Sequence, residues 1–84
     1  MSKADEMFNE LGYKKYYDEN EEKIEGKIIY IKRYTATDEI IEFNLVHHEI
    51  TVYEDVKYTK YAGYFSFKEL QAINEKVKEL RWLE

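Results

Sequence analysis

Apolar positions recur with two different periods along this 84-residue chain. Near the start, Ala4, Met7, Phe8 and Leu11 are spaced i, i+3, i+4, i+7, the single stripe of an amphipathic helix. Ser2 precedes them with Asp5 three positions on, the form of a capping box whose acid also complements the helix dipole. Gly12 stands where a left-handed C′ residue belongs, and Tyr13 follows as a hydrophobic C″ contact. The spacing predicts a helix over about 3–11.

The same period returns at the other end. Ser66 and Glu69 make an S-x-x-E capping box, and Phe65 before the cap matches Leu70 in a hydrophobic staple. Leu70, Ile73, Val77 and Leu80 form the stripe, while Lys68, Glu69, Glu75, Lys76, Lys78 and Glu79 lie elsewhere on the wheel. A helix over about 67–81 is expected, with Trp82 and Leu83 folding back over the core.

Between the helices the period is that of strands, in a stretch rich in Tyr, Ile, Val and Thr within a chain that has no proline. Strands are expected at about 13–18, 24–34, 40–46 and 49–55, with a weaker fifth at about 57–62. A two-residue turn at His47-His48 would pair Leu45 with Ile50 and Phe43 with Val52, placing Ile41 on the same face. Ile29 and Ile31 are expected to join that core face. Ile24 is out of phase with them, which a bulge at Gly26 would restore. The other face would carry Glu42, Asn44, Thr51 and Tyr53, with Ile28, Tyr30, Tyr34, Ile40 and Val46. One apolar face calls for helices on one side. The predicted fold is therefore α+β: one domain over 1–84, an antiparallel four- or five-stranded meander with N- and C-terminal helices packed on one face.

Charge and composition narrow the function. The formal net charge is −5 and the mean hydropathy is −0.75, which opposes a generic phosphate-backbone binder, so nucleic acid is not an expected partner. No apolar run approaches the roughly 20 residues of a spanning helix. The absence of Cys removes disulfide scaffolds, thiolate metal sites and thiol catalysis. A cytoplasmic protein is expected.

Chemistry is sparse. His47 and His48 are adjacent, read as a solvated turn, and neither begins a metal-binding motif. Both Ser residues sit at predicted helix caps, so a Ser–His arrangement is not expected. No catalytic, metal or cofactor-binding residue is assigned, and the chain reads as non-enzymatic. Two features stand out instead. Asp18-Glu19-Asn20-Glu21-Glu22 is the densest run of like charge, either a solvated loop or a mimic of a phosphate backbone. Nine Tyr are the second feature, and exposed aromatic groups mark interfaces. The partner-binding residues expected from these two features are Tyr30, Tyr34 and Tyr53, with Glu21 and Glu22.

The ends of the chain, MSKADEMFNELGYKK and FKELQAINEKVKELRW, resemble small uncharacterised proteins of phages and prophages of low-GC Gram-positive bacteria. Related chains commonly read ELGW near the end, where this one has Glu79-Leu80-Arg81-Trp82 and so lacks the helix-terminating Gly. The resemblance implies an accessory protein of a mobile element and transfers no site residue. The leading expectation is a protein that binds a host or phage protein, such as an inhibitor of a host defence nuclease complex in the manner of anti-CRISPR proteins. A small homodimer or assembly protein is the competing reading, and a nucleic-acid-binding regulator the third.

Overall fold

The computed structural model describes residues 2–16 and 26–84. Glu21 and Glu22, the rest of the acidic run, Ile24 and the end of the expected first strand lie outside the described residues. The elements run α1 (Lys3–Glu10), β1 (Lys14–Lys15), β2 (Lys27–Arg33), β3 (Asp38–Asn44), β4 (Glu49–Val56), β5 (Thr59–Ala62) and α2 (Phe67–Glu79). The strands form one antiparallel sheet in the order β1-β2-β3-β4-β5, so each pairs with its neighbour in sequence.

The caps behave as the sequence predicts. Ser2 Oγ accepts from the Asp5 amide at 3.0 Å. Ser66 and Glu69 complete both halves of a capping box, at 3.3 and 2.8 Å. Helix α1 ends in a Schellman motif: Gly12 takes φ 96°, its amide bonds Asn9 O, and the Tyr13 amide bonds Phe8 O. Helix α2 ends the same way without glycine. Arg81 adopts φ 60°, its amide bonds Lys78 O, and the Trp82 amide bonds Val77 O.

The sheet corrects two expectations about register. The β3–β4 loop is four residues, 45–48, because the pairs are Asn44 with Glu49 and Phe43 with Ile50. Asn44 causes this: its Oδ1 accepts from the amides of Val46 and His47, and His48 closes the loop at φ 54°. The slip from a two-residue turn is two positions, so Ile41, Phe43, Ile50 and Val52 still share a face. In β2 the parity is the reverse of that expected. Tyr30 pairs with Ile41 and Ile28 with Phe43, so these two face the core while Ile29 and Ile31 face away. Both parities of Ile28-Ile29-Tyr30-Ile31 are apolar, so hydrophobicity does not choose between them. The four-residue connection 34–37, closed by the Tyr34 amide on Thr37 O, does. Gly26 lies ahead of β2 at φ 75° and makes no bulge within the strand.

Both helices cover the face that carries Tyr30, Ile41 and Phe43. The core joins these to Phe8, Tyr13, Ala72 and Ile73, with Met7, Leu11, Val52, Val77, Leu80 and Trp82 packed around it. Phe8 stacks on Tyr30 with ring centroids 4.0 Å apart and meets Phe43 edge-on at 6.3 Å. Trp82 folds back as expected, lying between Phe43 and the His48 ring, which stacks on it at 4.8 Å, whereas Leu83, expected to follow it, is exposed.

Candidate interaction surface

The three tyrosines expected to form a patch are separated by the fold. Tyr30 is 1% exposed in the core, and its hydroxyl donates to Asp5 Oδ1. Tyr34 is half-exposed at the end of β2, with Lys32 Nζ 5.5 Å from its ring centre. Tyr53 alone lies on the uncovered face, half-buried, with Lys60 Nζ 4.9 Å over its ring. Its neighbours there are the buried Ile40 opposite it on β3 and, further across, Ile31. The expected Tyr30/Tyr34/Tyr53 patch is thus not assembled, because the β2 parity turns Tyr30 inward.

Polar groups near the core are engaged in holding elements together. Asp5 in α1 receives Lys15 of β1 at 2.8 Å, Lys76 of α2 at 3.4 Å and the Tyr30 hydroxyl of β2. Burial raises its pKa, but these bonds and the charges of Lys76 and Lys15 outweigh that and hold it at about 2. Lys76, itself buried, also pairs with Glu79 at 3.3 Å, and Glu79 accepts from the Ala4 amide at 2.8 Å. The Tyr13 hydroxyl donates to Glu69, and Glu39 lies 3.4 Å away. Burial and the two carboxylates raise the Tyr13 pKa. Glu69 moves the other way: burial is outweighed by its bonds to Tyr13 and Ser66. Each of these groups is satisfied within the fold.

Exposed aromatic groups are concentrated along the β5 edge of the sheet and the segment that leads into α2. Residues 57–68 read KYTKYAGYFSFK: three lysines, no carboxylate and five aromatic rings, in a chain of net charge −5. All five rings are exposed. Tyr58 is 99%, Tyr64 84% and Phe67 72% exposed, with Tyr61 and Phe65 about half. Lys57 and Tyr58 form the two-residue turn between Val56 and Thr59, both with positive φ (51° and 67°). A turn of this primed type favours Asn-Gly, so it holds a large ring at its tip against the local backbone preference. Gly63 is required by close approach: a Cβ there would lie 2.9 Å from the Tyr53 backbone. The sequence signal for this surface was the absence of acids across 57–68, obscured because the same residues also supply a strand and a helix cap.

Beside it, a depression of about 450 Å3 lies between the 34–37 and 57–58 turns, lined by Tyr34, Tyr58, Asp38 and Asp55 among others. Asp55 is engaged locally, accepting from the Tyr58 amide at 3.0 Å. Among the described residues no group of three or more His, Asp or Glu side chains is placed to hold a metal ion. No helix among them is long and apolar enough to cross a membrane. Neither a family model, nor a curated protein, nor a solved structure matches the chain.

Proposed function

We propose that this chain is a non-enzymatic, protein-binding accessory protein that engages its partner through the aromatic surface of residues 57–68. The observation that carries the reading is the exposure of Tyr58, Tyr61, Tyr64, Phe65 and Phe67 in one contiguous segment. Buried Tyr and Phe anchors supply much of the energy of protein interfaces, and a folded domain gains nothing from leaving five of them in water. The resemblance of the chain ends supports a phage or prophage origin and action in the cytoplasm of a Gram-positive host; inhibition of a host defence nuclease complex is proposed by analogy of size, charge and origin.

The test is affinity purification of the tagged chain from a Gram-positive host, with quantitative mass spectrometry, beside a Tyr64→Ser/Phe67→Ser variant. A host protein recovered with the parent and lost with the variant is expected, and purified complex should then lose nuclease activity when the chain is added. Recovery of the same proteins with both chains, or of none, overturns the reading.

A further inference from the structure

Strand β5 is the free edge of the sheet, and its backbone shows which groups it leaves unpaired. The Gly63 amide bonds Val52 O at 3.1 Å. With the register Val56↔Thr59, Glu54↔Tyr61, this fixes the alternation: residues 59, 61 and 63 turn their backbone toward β4. Lys60 and Ala62 therefore present N–H and C=O outward. All four residues of β5 are exposed, and neither proline nor a bulge blunts the edge. The segment 57–68 itself contributes three lysines and no carboxylate to this edge. Lys57, Lys60 and Lys68 make no ion pair among the described residues. On β4, Asp55 stands opposite Lys60 and Glu54 opposite Tyr61; Asp55 accepts from the Tyr58 amide, and Glu69 of α2 is engaged by Ser66 and Tyr13.

We propose that β5 receives an extended, acidic segment of a partner protein as a sixth strand of the sheet. Resting on the protein-binding reading above, this specifies how the partner is held. The outward groups of Lys60 and Ala62 supply the main-chain bonds. Alternate side chains of the added strand then fall beside Tyr61 on the helix-covered side and beside Lys60 on the other. The lysines select acidic residues, and Tyr58 and Tyr64 flank the two ends of the strand. Single-stranded nucleic acid could also use aromatic rings and lysines, but stacking would leave the outward backbone groups of β5 unused.

Selection of a random peptide library displayed on phage against the immobilised protein tests this. The expected peptides are rich in Asp and Glu, alternating with β-branched or aromatic residues. A62P removes an outward amide that makes no bond to β4, so it should weaken a synthetic selected peptide by about tenfold or more, with the melting temperature retained. K57E/K60E leaves the edge backbone intact, and should weaken the same peptide about tenfold and return Lys- and Arg-rich peptides on reselection. Peptides without acidic bias, or binding indifferent to both variants, overturn the proposal. So does a light-scattering mass twice that of the monomer that A62P halves, which would assign the edge to a second copy. Tighter, steeply salt-dependent binding of a short oligothymidylate would assign it to nucleic acid instead. If a host partner is recovered but binds A62P unchanged, strand addition fails while the protein-binding reading stands.

Discussion

The Tyr30 hydroxyl donates to Asp5 Oδ1 at 2.5 Å, tying the second strand of the sheet to the first turn of α1. Lys15 and Lys76 reach the same carboxylate from β1 and α2. One side chain thus ties its own helix to three other elements.

Acid sensitivity follows from that carboxylate. Its folded pKa, about 2, lies below the ordinary 3.8, so its contribution is fully present above about pH 4 and is lost as pH falls through 2. The depression corresponds to about 2 kcal/mol. Asp5→Asn should lower the unfolding free energy at pH 7 by that amount, seen as a lower urea midpoint, and flatten the decline of stability between pH 4 and pH 2. Urea titrations of both chains across that range check it.

Ser66→Ala should cost about 1–2 kcal/mol, toward the upper end of the range for helix caps. Glu69, the reciprocal partner in the capping box, also accepts the Tyr13 hydroxyl, so a loosened first turn of α2 disturbs a contact with the core. An unchanged urea midpoint would contradict this coupling.

Arg81→Gly should stabilise the protein by about 1 kcal/mol. Arg81 occupies the left-handed C′ position at φ 60°, where glycine carries no Cβ penalty. The ion pair it would lose, to Glu84, is exposed and contributes little. Thermal melts of the two chains measure the difference.

The turn at 57–58 should respond in opposite directions by two readouts. Replacing Lys57-Tyr58 by Asn-Gly suits two positive φ values and should raise stability by about 1 kcal/mol. The same change removes the most exposed ring and one lysine, so partner affinity should fall about tenfold or more. A variant that gains stability and keeps full affinity would remove Tyr58 from the interface.

The sequence was most legible where a local rule has one solution. The boxes and stripes around Ser2 and Ser66, and the Gly12-Tyr13 stop, placed both helices within a residue or two at each end. The strands were legible as strands, and the α+β meander with them. Parity was not legible in β2, where isoleucines flank Tyr30 on both sides and only the length of the 34–37 connection decides which face is covered. That single ambiguity moved Tyr30 from a surface patch to the core. The part played by Asp5 was hidden for a different reason. Its partners Lys15, Tyr30 and Lys76 are distant in sequence and meet only after the sheet and helices are in place.

The meander order bears on how the chain is made. Hairpins that join neighbouring strands can close as soon as each is synthesised, because every pairing is local. The covered face is different: Phe8 of α1 packs on Tyr30 and Phe43, but Ala72 and Ile73 complete the same core, so until the segment 67–79 is in place the aromatic face is only half covered. Incomplete chains therefore expose apolar surface that is open to other chains, and docking of α2 closes it.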